Sequence, residues 1–279
     1  GTVTLTATSA GDTNYNVATT SQLITIGKTT PVLTITSANT VNVDGALTAT
    51  VSTTATNGRG GAITYALVGG SGSATINAST GLITGISIGS VTLTVTSAGD
   101  TNYNVATTSQ LITIGKTTPV LTITSANTVN VDGTLTATVS TTATNGRGGA
   151  FTYAIAAGSG SAPLNASTGL IIGISIGSVT LTVTSAGDTN YNVATTSQLI
   201  TIGKTTPVLM ITSANTINVD GTLTATVSTT ATNGRGGAFT YALVAGSGSA
   251  TINASTGLIT GISIGSVTLT VTSAGDTNY

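Results

Sequence analysis

The sequence predicts an all-β protein built from tandem two-sheet sandwich domains, and three observations lead to this prediction. Apolar and polar residues alternate along short segments, as they do in strands that bury one face. Turn-forming runs such as "NVDG", "NASTG" and "AGDTN" separate those segments. The whole pattern returns every 88 residues, and no stretch has the 3.6-residue period of an amphipathic helix.

The repeats are near copies of one another. The run "GKTTPVLTITSANTVNVDG" begins at Gly27 and returns at Gly115, and Gly203 opens a near copy. Residues 27–114 and 115–202 differ at only eight of 88 positions. Because the chain opens at Gly1 in the middle of this pattern, we expect it to be a fragment or processed product of a longer protein. The predicted divisions are residues 1–26 (the last strands of a preceding repeat), 27–114, 115–202, and 203–279 (a repeat without its last strand).

The segment "VTLTVTS" illustrates the strands, because it places Val91, Leu93 and Val95 on one face and threonines on the other. The segments "LTATVSTT", "ITYALV", "PVLTIT", "LITGISI" and "SQLITI" add further strands. Six or seven short strands per repeat are typical of two packed antiparallel sheets. A parallel β-helix is the alternative for a Thr-rich repeat, but its coils are far shorter than 88 residues.

The segment "ATINASTGLITGISIGSVTLTVTS" (residues 74–97) resembles the bacterial immunoglobulin-like repeats of surface adhesins, and "INASTGLIT" is similar to cadherin-like repeats. The order "GDTNYN", "QLITI" and "K–TP" resembles the join between consecutive units of such arrays. The resemblance covers the whole chain. It implies immunoglobulin-like β-sandwich domains in a linear rod, and a structural role in an extracellular or cell-surface bacterial fibre or adhesin stalk.

The repeated "SAGDTNY" segment predicts a tight turn between the last two strands of each repeat. Gly99 supplies a positive φ, and the Asp100 and Asn102 side chains bond to nearby amides. Tyr103 is then expected to fold inward with its hydroxyl on the backbone, as in the tyrosine corner of immunoglobulin-like folds. We interpret six tyrosines as structural turn or core residues: Tyr15, Tyr103, Tyr191, Tyr65, Tyr153 and Tyr241.

Composition argues against catalysis, nucleic-acid binding and membrane insertion. The chain has no His, Cys or Trp, so nucleophile–His and Cys-based sites are excluded, and we predict that it is not an enzyme and has no catalytic residues. A net charge of −1 with 5% charged residues does not suit nucleic-acid binding. No apolar run is long enough for membrane insertion of this segment.

Metal and cofactor sites are not expected either. Each complete repeat has two aspartates, such as Asp44 and Asp100, and neither has an acidic neighbour. Calcium sites need several clustered oxygen ligands. We therefore predict no cofactor, no metal and no dependence on calcium. The connector lysines Lys28, Lys116 and Lys204 are expected to be solvated.

The sequence suggests two kinds of contact with other molecules. The "NGR" turns carry the only arginines, so these are candidate contact tips for the alternative function, recognition of a glycan or host protein: Arg59, Arg147 and Arg235. Strand edges without charged or Pro guards predict self-association, lateral or end to end. One form would be donation of the strand containing Leu23, Ile24 and Ile26 to the incomplete last repeat of a neighbour. The alternative is that the chain ends are an arbitrary cut through a longer fibre.

Overall fold

A computed structural model describes residues 1–56, 60–144, 148–232 and 236–279. All regular structure in these ranges is β-strand. No helix of the described part is long and apolar enough to cross a membrane. The three candidate contact arginines, Arg59, Arg147 and Arg235, lie outside the described residues.

Residues 1–26 form an antiparallel hairpin of two strands, β1 (Thr2–Ser9) and β2 (Ala18–Thr25). The described residues of the first repeat form nine strands. They are β3 (Leu33–Ile35), β4 (Thr40–Asn42), β5 (Ala46–Thr48), β6 (Val51–Thr53), β7 (Ile63–Val68), β8 (Ser73–Ile76), β9 (Leu82–Ser87), β10 (Gly89–Ser97) and β11 (Ala106–Gly115).

The second repeat has eight described strands, and the third has seven. Those of the second are β12 (Leu121–Ile123), β13 (Thr128–Asn130), β14 (Thr134–Thr136), β15 (Val139–Thr141), β16 (Phe151–Ala156), β17 (Leu170–Ile172), β18 (Gly177–Ser185) and β19 (Ala194–Gly203). Those of the third are β20 (Leu209–Ile211), β21 (Thr222–Thr224), β22 (Val227–Thr229), β23 (Phe239–Val244), β24 (Ser249–Ile252), β25 (Leu258–Ser263) and β26 (Thr268–Ser273).

The first repeat is a two-layer sandwich. One layer is a four-stranded sheet in the order β4-β11-β10-β7, in which β4 runs parallel to β11 and the other pairs are antiparallel. The other layer contains the pair β3-β6 and the sheet β5-β9-β8. The second repeat has the same four-stranded sheet, β13-β19-β18-β16. The predicted all-β architecture of tandem immunoglobulin-like sandwiches is confirmed.

Alternating side chains fill the space between the layers. Val91, Leu93 and Val95 of β10 are all buried, as the sequence pattern predicts, and Ile112 of β11 and Ile83 of β9 are buried with them. Since successive strand residues point to opposite faces, the threonines between them lie on the outer face.

The chain forms two compact units. The first unit comprises Gly1–Thr118, Thr144–Gly148 and Gly187–Asn192, and the second comprises Pro119–Ala143, Gly149–Ala186 and Val193–Tyr279. Two turns of the second repeat therefore belong to the first unit.

One substitution between repeats changes the secondary structure. The first repeat has Thr75 in β8, whereas the second has Pro163 at the same place. Proline has no N–H to donate to a strand partner, so it disfavours a ladder there. Isolated bridges take the place of the strand in the second repeat, and in the third repeat Thr251 lies again in a strand, β24.

The third repeat has an incomplete sheet. Its β23-β26 pair corresponds to β7-β10, but no described strand corresponds to β11. Residues 216–218, which correspond to β4, are not a strand. This is expected because β4 pairs with β11 in the first repeat.

A pair of leucine substitutions in the second repeat tests the assignment of inner and outer faces. Leu181 of β18 is fully buried, whereas Leu199 of the adjacent β19 is exposed. We expect Leu181→Ala to lower the free energy of unfolding by about 2–5 kcal/mol because it leaves a cavity. The matched change Leu199→Ala should cost about 0.5 kcal/mol or less. Urea denaturation followed by circular dichroism measures both, and similar losses for the two variants would contradict the assignment.

Candidate functional site

The "GDTNY" turn is organised by its aspartate. In the second repeat, Asp188 Oδ1 accepts hydrogen bonds from the backbone N–H of Asn190 at 2.7 Å and of Tyr191 at 2.9 Å. Its Oδ2 accepts from the Gly148 N–H at 2.9 Å. Gly187 has a φ of 69°, which is in the left-handed region that favours glycine. These bonds set the direction in which the Tyr191 side chain leaves the turn.

Hydrogen bonds of this kind lower the pKa of two turn aspartates, Asp188 and Asp276. The Gly148 N–H is the main cause at Asp188, partial burial opposes it, and the other two amides and the Lys116 charge add to the lowering. The pKa of Asp276 in the third repeat is also lowered, chiefly by the Gly236 N–H. Both carboxylates are therefore held ionised by their folded surroundings.

The connector lysine of each repeat is exposed, as the sequence predicts, and its ammonium group also binds the same turn. Lys116 Nζ donates to the Asp188 carbonyl oxygen at 2.7 Å. The equivalent bonds from Lys28 to Asp100 and from Lys204 to Asp276 are 2.7 and 2.6 Å long. Each lysine thus links the start of its repeat to the turn near the end of that repeat.

The "NVDG" turn presents a second aspartate in an unusual backbone conformation. Asp44 has a φ of 60°, and its counterparts Asp132 and Asp220 have φ values of 62° and 61°. Asp and Asn tolerate this region better than most residues with a side chain. The Asp44 N–H donates to the Gly85 carbonyl at 2.9 Å, and the Gly45 N–H donates to the Asn42 carbonyl at 2.9 Å, which closes the turn.

The two turns meet in the first unit. The Tyr191 hydroxyl donates to Asp44 Oδ2 and accepts from the Thr144 N–H at 3.2 Å. The Thr144 hydroxyl donates to Asp44 Oδ1 at 3.0 Å. One carboxylate of the first repeat therefore holds two groups of the second repeat. We call the contact of Asp44, Thr144 and Tyr191, with its counterpart in the second unit, the Asp–Tyr junction.

Backbone groups extend the junction on both sides. The Ile88 N–H donates to Asn190 Oδ1 at 3.0 Å, and the Thr117 hydroxyl donates to the Val43 carbonyl. The Thr117 N–H donates to the Asn190 carbonyl at 3.2 Å. The Thr117 backbone and side chain therefore connect the "GDTNY" turn of one repeat to the "NVDG" turn of the repeat before it.

The second unit contains an equivalent junction 88 residues further along. The Tyr279 hydroxyl donates to Asp132 Oδ2, and the Thr232 hydroxyl donates to Asp132 Oδ1 at 2.9 Å. The Ile176 N–H again binds the equivalent asparagine, Asn278, at 3.0 Å. Tyr279 also belongs to the apolar core cluster that contains Val131. The junction is therefore a recurring contact with an apolar part.

The tyrosines that the sequence assigns to turns and cores have different surroundings. Tyr191 is buried and Tyr103 is half-buried, with its hydroxyl 3.3 Å from the Thr56 nitrogen. Tyr15, in contrast, is 76% exposed, since the hairpin of residues 1–26 has no second layer to cover it. The remaining three are half-buried side chains on corresponding strands: Tyr65, Tyr153 and Tyr241.

The other candidate residues do not join this site. The proposed donor residues Leu23, Ile24 and Ile26 are exposed in the hairpin of residues 1–26. Within the described ranges, no group of three or more His, Cys, Asp or Glu side chains could hold a metal ion.

Sequence reasoning missed Asp44 and Asp132 as partners of the tyrosines. Asp44 and Tyr191 are 147 positions apart, and no local pattern connects them. The sequence signal was the aspartate that precedes glycine in every "NVDG" turn. An aspartate at this position indicates a residue with a left-handed backbone conformation and a carboxylate that points outward.

A comparison with protein-family models agrees with this architecture. Residues 204–278 match the family model described as bacterial Ig-like domain (group 2), so the resemblance noted above is confirmed for this part of the chain. A comparison with curated proteins gives no match.

Two solved structures are similar to the chain. The first is described as fibronectin(III)-like modules of Clostridium thermocellum CbhA; it is 12% identical, with a TM-score of 0.23, and the match covers 61% of this chain and 94% of that one. The second is described as Sidekick-1 immunoglobulin domains 1-5; it is 14% identical, with a TM-score of 0.28, covering 91% of this chain and 59% of that one.

A double-mutant cycle tests the Asp–Tyr junction. We expect Asp44→Asn and Tyr191→Phe to show a coupling energy of about 0.5–1.5 kcal/mol, because the first change removes the charged acceptor of this hydrogen bond and the second removes its donor. Urea denaturation of the two single variants and of the double variant measures the coupling.

Asp220→Asn is the matched control for this cycle. Asp220 has the same turn and a φ of 61°, but its side chain makes no hydrogen bond to a described residue. We expect that change to alter stability by about 0.5 kcal/mol or less. A coupling energy of zero between Asp44 and Tyr191 would contradict the junction.

The turn aspartates Asp188 and Asp276 predict a loss of stability in acid. Their pKa is lower in the folded chain than the ordinary value of 3.8. Their contribution is therefore fully present above about pH 4 and is lost as the pH falls through the lower folded value. Asp188→Asn should reduce this loss, since an amide cannot ionise and its nitrogen cannot accept from the Gly148 N–H. Urea midpoints measured from pH 7 downwards test this, and identical acid profiles for the two proteins would contradict it.

Proposed function

We propose that the chain is a non-catalytic repeat region of a bacterial extracellular fibre or adhesin stalk, in which successive domains span distance. One observation carries the proposal: the Asp–Tyr junction occurs twice with the same partners, 88 residues apart. A module used for one ligand does not need identical contacts from each repeat to the next. A stalk needs identical contacts between its repeats, because every joint has to resist the same load.

The connectors support a mechanical role. Only residues 116–120 separate β11 from β12, and they include Pro119, whose ring fixes its φ angle. Lys116 and Thr117 of the same connector are held by hydrogen bonds to the "GDTNY" and "NVDG" turns. A stalk requires connectors that are short and whose residues are held by hydrogen bonds in this way.

The family match supports an extracellular location. Bacterial Ig-like domains are typical of extracellular proteins, and domains with this fold are generally non-catalytic modules. Cell adhesion, secretion and attachment at the bacterial surface belong to the same proposal.

The alternative function is recognition of a glycan or host protein through the loop tips. It would use the "TNGRGG" loops with Arg59, Arg147 and Arg235, or the "GGSGS" loops. A binding module predicts that the loops of one repeat differ from the others. Here the loops barely differ: Gly69 is replaced by Ala157 and Ala245. This near identity favours the stalk.

Deletion of one whole repeat tests the stalk. Joining Ile114 directly to Gly203 removes residues 115–202 and leaves the sequence "GKTTP" at each joint that remains. We expect the maximum dimension, measured by small-angle X-ray scattering on the monomer fraction, to shorten by about 35–40 Å, the length of one sandwich domain. A calcium chelator should leave both values unchanged.

Two results would contradict the stalk. One is a maximum dimension that hardly changes on deletion, because that describes repeats folded back on one another. The other is saturable binding on a glycan array that is lost in the triple variant Arg59→Ala, Arg147→Ala, Arg235→Ala, which would favour the binding module instead.

A further inference from the structure

The "NASTG" turn occurs in every repeat, and the stalk function does not use it. It joins β8 to β9 in the first repeat and β24 to β25 in the third. Each copy of the turn has an asparagine followed two positions later by a serine: Asn77 and Ser79, Asn165 and Ser167, and Asn253 and Ser255. No other asparagine of the chain has serine or threonine at that spacing. This spacing is the acceptor motif for N-linked glycans, in which the side-chain amide nitrogen of asparagine carries the sugar.

The motif is exposed, while the base of the turn is fixed to the core. Residues 77–80 are all exposed, and so are residues 165–168 and 253–256. Gly81, the next residue of the first repeat, is buried with a φ of 71°, and a Cβ added there would lie 3.2 Å from Tyr65 Cε1. The Ala49 N–H donates to the Gly81 carbonyl at 2.9 Å. The core therefore holds the turn in place with its acceptor motif in solvent.

Hydrogen bonds orient the side-chain amide of the asparagine. Asn77 Oδ1 accepts from the backbone N–H of Ser79 and from that of Thr80, both at 3.0 Å. Since both partners are donors, they bind the oxygen of the amide and not its nitrogen. The exposed side chain thus leaves its Nδ2 group to solvent. The two bonds also draw electron density from the amide, which makes an Nδ2 proton easier to remove.

The geometry of the motif does not depend on the strands around it. In the second repeat, Pro163 stands two residues before the asparagine, and isolated bridges replace the strand there. Asn165 Oδ1 nevertheless accepts from the N–H of Ser167 at 3.0 Å and of Thr168 at 3.1 Å. Asn253 makes the same two bonds in the third repeat, each 3.0 Å long. The three repeats therefore present the motif in the same way.

The backbone of the turn is bonded without any help from Nδ2. The Asn77 N–H donates to the Leu82 carbonyl, and the Gly81 N–H donates to the Asn77 carbonyl, both at 2.9 Å. The Ala78 carbonyl accepts from the Tyr65 N–H at 3.0 Å. A group attached to Nδ2 breaks none of these bonds, so the folded repeat can carry one.

We propose that Asn77, Asn165 and Asn253 are acceptor sites for N-linked glycans. In the transfer, Nδ2 forms a bond to the anomeric carbon of a sugar that is activated as a phosphate ester. The bond between that carbon and the phosphate oxygen breaks, and the phosphate group leaves with the electron pair. A base of the transferase takes one Nδ2 proton. The partner is therefore a glycosyltransferase that recognises asparagine together with the serine hydroxyl two positions later.

The inference goes beyond the stalk function and does not depend on it. It requires only an exposed motif whose amide nitrogen is accessible in the folded chain. Only 5% of the residues are charged, so the chain has few charged groups to hydrate its surface. A glycan is bulky and hydrated, and one glycan in each repeat would cover part of this surface.

Transfer of a sugar to the folded 279-residue chain tests the proposal. One arm uses a soluble N-glycosyltransferase with a nucleotide-activated hexose. The other uses an oligosaccharyltransferase in membranes with a lipid-linked oligosaccharide, because both donors are sugar phosphates. We expect the intact mass to rise by up to three glycans in at least one arm. Peptide mapping should place the glycans on Asn77, Asn165 and Asn253.

Two neighbouring substitutions provide a matched pair. Ser79→Ala removes the hydroxyl of the motif but keeps both bonds to Asn77 Oδ1, since backbone N–H groups make them. We expect this variant to lose the glycan on Asn77 and to keep those on Asn165 and Asn253, which are internal controls. Thr80→Ala lies one residue beyond the motif and should keep all three glycans. Circular dichroism checks that both variants are folded.

Three results would overturn the proposal. The first is a chain that gains no sugar in either arm, although a standard acceptor peptide is modified under the same conditions. The second is modification of a free peptide of residues 73–83 but not of the folded chain, which would mean that the fold hides the motif. The third is a Ser79→Ala variant that keeps its glycan on Asn77, because attachment would then not follow the motif.

Discussion

The hydrogen bond from a turn tyrosine to the aspartate of the preceding repeat is the contact on which the other junction contacts depend. It requires the Tyr191 hydroxyl to reach Asp44, and this reach requires the "GDTNY" turn to be closed around Asp188. The left-handed φ of Asp44 in turn directs the acceptor toward the tyrosine. The hydrogen bond between Tyr191 and Asp44 therefore stabilises both turns, and it forms only when both turns are closed.

Few residues of the chain are charged, and all of its acidic residues lie in turns. All seven aspartates lie in one of two turn types: four in "GDTN" and three in "VDG". Each carboxylate in a closed "GDTN" turn accepts backbone hydrogen bonds, and those of Asp44 and Asp132 accept hydroxyl groups from the next repeat. Negative charge is thus placed where the fold needs an acceptor, and the sheet faces are built from neutral threonine and serine.

Identical segments in different surroundings show how much the fold depends on context. The ten residues of β11 and β19 bury two isoleucines each, whereas the same residues at positions 18–27 expose them. Residues 216–218 match Thr40–Asn42 closely in sequence but are not a strand, because a strand needs a partner for its backbone groups. Strand formation in this chain is a property of the pair and not of the segment.

The sequence by itself determined the all-β class, the 88-residue period, the inner faces such as Val91–Leu93–Val95, and the "GDTNY" turn, because alternation and turn chemistry are local. Only the tertiary structure decided that Lys116 binds a turn and that Asp44 is the acceptor for Tyr191. Those facts depend on how distant segments meet across 72 and 147 positions, and no local pattern encodes such a meeting.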